Sequence, residues 1–473
     1  MNIIFRYLGY ILLISAVFRI IPIIAGIIYG EYILIFIISS LISLLLGFFL
    51  IWLGKKQSQS FGLLENLNLP QAFMLVGTSF LILPLIGSIS YLPSFKYNFI
   101  NAYFESISGF TTTGLTLYES LEGLPKSLLL WRAETQWIGG IGIVIFFLFI
   151  ISRLYFHGKE ETTQIEATST LYQSQGLSQQ LEPSLQKSSK NLLLIYIIYT
   201  LLGIILLYIS GMNLFESIAL TFTAISTGGF IVTDSLTASD TQLIILCILM
   251  VLGSISFIAH NKILQKKFKE FILSYEKNIF LLFLVLGISI TLFVYTDFKV
   301  VIFELISAFT GTGYSIAEIS MLPPLFIMMI ITGMLIGGSV ASTSGGMKVA
   351  RGYSLLKMIP LIMKRLVSPR HAVIPLKINK KNIEEKELLI IVVFVTLFFL
   401  ILFIGIIIFL LLGFSFLDSI FTMSSALGTV GLSTMDMGKV PITGKIVLML
   451  AMLLGRLEIF PLLILFKRLF TKY

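Results

Sequence analysis

The chain has one cysteine, Cys247, and three histidines, His157, His260 and His371, scattered without ligand spacing. A single cysteine excludes an internal disulfide and any Cys-rich metal centre. Charge is scarce too: 12% of the 473 residues are Asp, Glu, Lys or Arg, where soluble domains run near a quarter. No Gly-x-Gly-x-x-Gly follows a strand-like run, so any nucleotide effect belongs to a partner and the chain offers no organic cofactor site. No nucleophile–base or metal set stands within the apolar runs, which argues against a membrane enzyme.

What is present in excess is hydrophobicity, at 57% of residues. It comes in runs of about 20 residues, long enough to cross roughly 30 Å of hydrocarbon as helix. The runs predict spans at 3–29, 32–53, 71–92, 127–151, 191–210, 241–260, 279–296, 322–358 (interrupted), 389–413 and 442–466. The first carries Arg6 and Arg19 and lacks a small-residue cleavage site, which predicts a retained span. The net charge of +9 raises nucleic acid as a partner, but its distribution argues otherwise. Of the 33 Lys and Arg, 25 fall in one set of alternate connections and 5 in the other, with Arg19, Arg132 and Arg456 inside spans. Positive charge is retained on the cytoplasmic side, so the expectation is a multi-pass protein of the cytoplasmic membrane with both termini inside.

The outer connections hold shorter apolar segments, near 99–110, 214–225, 299–309 and 416–426, each too short to span. Each ends in a Thr/Ser/Gly cluster: SISGFTTTGL (106–115), TAISTGGF (223–230), SAFTGTGY (307–314) and SSALGTVGL (424–432). Aligned on the last glycine they read Thr111-Thr112-Thr113-Gly114, Ser226-Thr227-Gly228-Gly229, Thr310-Gly311-Thr312-Gly313 and Gly428-Thr429-Val430-Gly431. Leu115, Phe230, Tyr314 and Leu432 follow. One such cluster alone reads as a polar turn; four in register read as an ancient fourfold duplication.

Physics explains the residue types. Non-helical backbone at membrane depth survives only where protein buries it or water lines it. Glycine permits the dihedrals that turn successive carbonyls toward one axis. Thr and Ser add hydroxyl oxygens, and a ring of such oxygens replaces the hydration shell of a cation such as potassium. The short segments would be half-helices whose negative C-terminal ends face that ion. The acids Glu105, Glu216, Glu304 and Asp418 lie near their starts, and helix capping is favoured over ion attraction as their role.

With these loops in view, the sequence resembles the Trk/Ktr/HKT superfamily of potassium transporters, specifically its TrkH-like bacterial subunits. The resemblance covers almost the whole chain and rests on FESISGFTTTGL (104–115), WRAETQWIGGIGIVIF (131–146), AISTGGF (224–230), GGSVASTSGGMKVAR (337–351) and GRLEIFPLL (455–463). It implies an all-α polytopic fold of four M1–pore helix–M2 units around one pore, plus an N-terminal helix pair. The expected divisions are the pair at 1–60, the first unit at 61–158, a cytoplasmic linker at 159–190, and further units at 191–277, 278–386 and 387–473. It also implies potassium as substrate, bound only at the filter, an inner-membrane homodimer among lipid, and a cytosolic TrkA-type nucleotide-binding regulatory subunit. Two departures, Gly311 where the other loops have Thr and Gly428 where they have Thr or Ser, remove hydroxyls and stand to loosen ion discrimination. The family associates serine at the position of Gly114 with sodium permeability, so Gly114 favours potassium.

The eighth span is interrupted by Gly337-Gly338-Ser339-Val340-Ala341-Ser342-Thr343-Ser344-Gly345-Gly346, where each glycine costs about 1 kcal/mol of helix stability. By resemblance this is an intramembrane gating loop beneath the filter; the bland alternative is a small-residue packing surface. Arg456 lies too deep to snorkel, and intramembrane charges face cavities or partners. The resemblance places it at the pore below the filter, a barrier against leak. Arg19 and Arg132 are expected to be structurally paired. Competing functions are a KtrB-like, sodium-stimulated transporter, against which the N-terminal pair argues, and a proton-coupled antiporter, which needs midplane carboxylates.

Overall fold

The computed structural model describes residues 2–55, 69–157, 185–369, 376–378, 381–383 and 385–470. Of the expected cytoplasmic linker at 159–190, residues 159–184 lie outside the described residues, as does His371. In hydrocarbon each backbone polar group needs an internal partner, and the apolar runs accordingly form helices. These are α1 (Asn2–Phe18), α2 (Ile20–Tyr29), α3 (Leu34–Lys55), α4 (Leu69–Gly87), α5 (Phe99–Phe110), α6 (Lys126–His157), α7 (Leu185–Ile209), α8 (Leu214–Ile225) and α9 (Asp240–Ser254). There follow α10 (Phe257–Leu264), α11 (Phe268–Ile272), α12 (Tyr275–Leu292), α13 (Phe298–Thr310), α14 (Pro324–Ile336), α15 (Val349–Leu366), α16 (Glu385–Leu411), α17 (Phe416–Gly428), α18 (Ile442–Arg456) and α19 (Phe460–Phe470). Among the described residues six helical stretches are long and apolar enough to cross a membrane, or eight if two sharply bent pairs are each one span. The chain is a polytopic, essentially all-helical protein. An antiparallel hairpin, β1 (Leu376–Ile378) with β2 (Lys381–Ile383), is a small addition that the apolar pattern does not announce.

One order of elements recurs: long helix, short helix, loop, long helix. It runs α4–α5–α6, α7–α8–α9, α12–α13–α14 and α16–α17–α18. The second long helix of each set packs on the short helix of the next, α6 on α8, α9 on α13, α14 on α17, and α18 back on α5. That closes a ring. The N-terminal helices pack beside it, α1 against α3 and α4, and α2 against α6.

Two expected spans are not continuous. The stretch 241–260 bends by 101° between α9 and α10, and 442–466 bends by 110° between α18 and α19. At the first break Ile255 is extended, with φ −82° and ψ 145°. At the second, Glu458 and Ile459 take φ of 57° and 65°, conformations that side chains resist. With the interruption between α14 and α15, three of the four second helices are broken.

Candidate ion-conduction site

Each short helix starts at a cap placed in register. Asn98, Asn213, Asp297 and Ser415 stand 16 residues before Gly114, Gly229, Gly313 and Gly431. Their side chains accept from Asn101 N (3.2 Å), Glu216 N (2.9 Å), Lys299 N (3.0 Å) and Asp418 N (3.1 Å), satisfying donors that a helix start leaves open. This corrects the expectation for the acids. Glu216 and Asp418 sit in first turns, but Glu105 and Glu304 are buried mid-helix and fasten the chain leaving the loop. Glu105 accepts from Thr116 Oγ1 (2.9 Å) and Leu117 N (3.1 Å), and Glu304 from Ser315 Oγ (2.8 Å) and Ile316 N (2.8 Å).

The four loops then repeat one backbone path. Their second positions are all left-handed: Thr112 (φ 52°), Thr227 (52°), Gly311 (73°) and Thr429 (51°). So are the aligned glycines, Gly114 (90°), Gly229 (77°), Gly313 (90°) and Gly431 (96°). Each glycine abuts a carbonyl of the following loop. An added Cβ would lie 2.3 Å from Gly228 O for Gly114, 2.0 Å from Thr312 O for Gly229, 1.7 Å from Val430 O for Gly313, and 2.2 Å from Thr113 O for Gly431. The contacts run from first loop to second, third, fourth and back. Third-position carbonyls thus form a closed ring that no side chain at the glycines would permit.

Both departures from the common pattern have packing causes. Gly311 occupies a left-handed position at which the three threonines each bear a cost of order 1 kcal/mol. Gly428 faces α14, where an added Cβ would lie 2.4 Å from Met334 O. Neither removes a carbonyl from the ring. The buried hydroxyls of Thr112 and Thr429 have no protein partner in the structure, and oxygens left so are suited to a cation.

Above the glycines a cavity of about 830 Å3 is lined by all four of them and by the outgoing segments. Glu119, Asp234, Glu318 and Asp436 line it as well, one per loop, each five residues past its glycine and exposed. Sequence reasoning that looked for acids before the loops missed this ring; the equal offset is the signal that carries it.

Beneath the loops runs segment 337–346, buried throughout. Thr343 Oγ1 is 3.0 Å from Ile225 O and 3.3 Å from Thr227 Oγ1. A Cβ on Gly345 would lie 1.9 Å from Thr429 Oγ1, and one on Gly311 3.0 Å from Ser344 Oγ. The segment therefore touches the undersides of the second, third and fourth loops. Inside it, Ser342 Oγ donates to Ser339 O at 2.6 Å, and Gly338 N to Ser344 Oγ at 2.9 Å. A Cβ on Gly337 would meet Gly345 O at 2.2 Å, and one on Gly346 would meet Gly337 Cα at 3.0 Å, so the glycine pairs pinch the segment's two ends together. Arg456 reaches it, donating from Nη1 to Thr343 O and from Nη2 to Gly139 O at 3.1 Å. Glu458 is turned away and pairs with Arg351.

Supporting residues surround the loops. Gln136 Nε2 donates to Gly228 O at 2.6 Å while its Oε1 accepts from Phe230 N at 3.1 Å. Composition gives no sign of this role, although Gln136 lies within WRAETQWIGG. Arg132 pairs with Glu105 at 3.0 Å, both buried, and lies 4.1 Å over the Phe230 ring. Arg19 donates to Ser15 Oγ (2.8 Å) and Ser43 Oγ (3.0 Å) and sits 4.8 Å over the Trp131 ring. Among the described residues no His/Cys/Asp/Glu group could hold a metal ion.

A family model, TrkH, described as a cation transport protein, matches residues 36–471. The chain belongs to the TrkH family. Among its relatives, an uncharacterized cation transporter of Methanocaldococcus jannaschii is 33% identical over 99% of this chain and 96% of its own length. The Trk system potassium uptake protein TrkH of Escherichia coli is 27% identical, with 91% of each chain covered. The crystal structure of the potassium transporter TrkH from Vibrio parahaemolyticus superposes with a TM-score of 0.85 over 100% of this chain and 99% of that one; at 24% identity, the likeness is one of fold.

Proposed function

We propose that this TrkH-family protein carries potassium into the cell through a pore enclosed by four pseudo-repeated units. The units are α4–α6, α7–α10, α12–α15 and α16–α19, with α1–α3 as an added N-terminal pair. The observation that carries the reading is the closed ring of third-position carbonyls, which only glycine neighbours allow. Such a ring, with the orphaned hydroxyls of Thr112 and Thr429 below it, offers a dehydrated cation oxygens in place of water. Residues 111–114, 226–229, 310–313 and 428–431 form the filter. The four short helices point their C-terminal, negative ends at its underside. The acids of the cavity above raise the local cation concentration.

Segment 337–346 acts as the gate. It lies against the filter's lower side, and its glycine pairs are hinges for a polar centre. Arg456 sets a second barrier there: a unit charge about 6 Å from an ion repels it by roughly 3 kcal/mol at an effective dielectric near 20. The relatives' names support potassium as the ion, and the Trk system of those names fits a separate TrkA-type regulatory subunit bound on the cytoplasmic side. The charge bias places the termini and residues 262–274 in the cytoplasm, and the two-fold assembly is a homodimer with one pore per protomer. Expression in a bacterium stripped of its potassium uptake systems tests the reading. Growth at micromolar potassium with rubidium uptake is expected; a well-expressed protein that restores neither refutes it.

A further inference from the structure

The gate's polar centre shares three backbone hydrogen bonds with one other stretch of chain. Ser339 N donates to Ser254 O at 2.9 Å, Thr343 N to Gly253 O at 3.1 Å, and Phe257 N to Ala341 O at 3.0 Å. All three bonds reach the corner where α9 breaks into α10. The next contact comes from the far end of the same connection. Glu276, in the first turn of α12, accepts from Val340 N through its Oε2 at 3.2 Å. Val340 and Ala341 are neighbours and both fully buried, yet they are gripped from opposite ends of residues 257–276. A buried backbone donor has to find an acceptor, and here that acceptor is a side chain 64 residues earlier, at the start of the same unit.

We infer that Glu276 is a positioning residue for the gate, and that the connection 257–276 is the lever that releases it. The inference rests on the reading of 337–346 as the gate. Between its two grips the connection contains only α10, α11 and short turns. Lys262 and Lys267 lie within 3.8 and 4.0 Å of Glu270 on its surface. Lys266, Lys267 and Lys269 are exposed on it. A pull on this surface shifts α10 and the start of α12 relative to each other, and both are bonded to adjacent gate residues.

The test uses the full-length protein in liposomes, reading rubidium flux per folded transporter. A second readout is the thiol-modification rate of Ser342→Cys in a Cys247→Ala background. Glu276→Ala is expected to raise both roughly fivefold, the order expected for losing one buried hydrogen bond. Glu276→Gln, whose amide oxygen still accepts from Val340 N, stays within about twofold of wild type by the same reasoning. Inserting Gly-Ser-Gly-Ser between Lys266 and Lys267 slackens the lever without touching a buried group, and is expected to raise both readouts as well. This insertion decides the matter if Glu276→Ala fails to fold. Wild-type flux and labelling in the folded variants overturn the inference. Deleting Val340 to Ser344 separates the two claims. If the deletion raises flux while the Glu276 and insertion variants do not, the lever is wrong and the gate stands. If the deletion leaves flux unchanged, the gate reading itself fails.

Discussion

Arg456 donates through Nη1 to the carbonyl of Thr343, so the arginine at the end of α18 is bonded to the middle of segment 337–346. Its Nη2 holds Gly139 O on α6, the second helix that runs unbroken. The guanidinium therefore ties α18 both to that segment and to α6. Arg456→Gln removes the charge and one of the two bonds, and rubidium flux is expected to rise about tenfold, within the roughly 3 kcal/mol of repulsion available. Arg456→Lys keeps the charge but loses the fork, so its flux is expected to fall between the two. Lower flux in a folded Arg456→Gln protein would show that the arginine supports the pore without restraining it.

Gln136 links α6 to the second loop by donating to Gly228 O and accepting from Phe230 N. Gln136→Leu leaves a buried donor unpaired and is expected to cost about 1–3 kcal/mol of stability. Because Gly228 O belongs to the carbonyl ring, potassium-over-sodium selectivity is expected to fall too. Thermal unfolding and paired ion-flux assays check both effects. A destabilised variant with intact selectivity would assign Gln136 to packing alone.

Glu105 and Arg132 form a buried pair that also fixes Thr116 and Leu117. Removing one partner strands the other, at a cost of about 3–5 kcal/mol. Arg132→Leu is thus expected to abolish folded protein at growth temperature. The double replacement Glu105→Gln with Arg132→Met is expected to recover part of the yield. A double-mutant cycle on detergent-solubilised protein measures the coupling.

The fourfold register was legible because glycine is the one residue that fits where Gly114, Gly229, Gly313 and Gly431 meet a neighbouring carbonyl. Mean composition, by contrast, is the same for a straight span and a broken one. The bends after Ser254 and Arg456 therefore stayed hidden: Ile255, Glu458 and Ile459 are not residues that announce a break. Long-range partners were equally out of reach. Nothing local to Glu276 indicates Val340, 64 residues on. The reading of the acids as caps went astray because capping was sought among charged residues, whereas Asn98, Asn213 and Ser415 do it without charge.

Glu119 and Glu318 face the cavity above the loops, and neither ties one outer loop to another. Asp234 does, accepting from Ser120 Oγ at 2.8 Å, and the Leu121 N–H with the Ser120 hydroxyl holds its carboxyl below the usual range. Glu119→Gln with Glu318→Gln is expected to lower flux about twofold to threefold at 10 mM salt, and by far less near 0.5 M, where charges are screened. The remaining charge on Asp234 persists as pH falls, since its depressed pKa delays protonation. Residual low-salt enhancement in the double variant is therefore expected to outlast the protonation of ordinary carboxylates as pH falls. An effect independent of salt would mean that the acids shape the loops and do not attract ions.

The central claim is that four glycine-backed carbonyls select potassium, and Gly114→Ser strikes it directly. A Cβ there meets Gly228 O at 2.3 Å in a left-handed position. The measurement is the ratio of potassium to sodium permeability for purified protein in liposomes under an imposed membrane potential, wild type against Gly114→Ser. The account predicts strong potassium preference in the wild type and a ratio reduced at least tenfold in the variant, about 1.4 kcal/mol of discrimination. Equal permeability in the wild type, or an unchanged ratio in a folded Gly114→Ser protein, would contradict it.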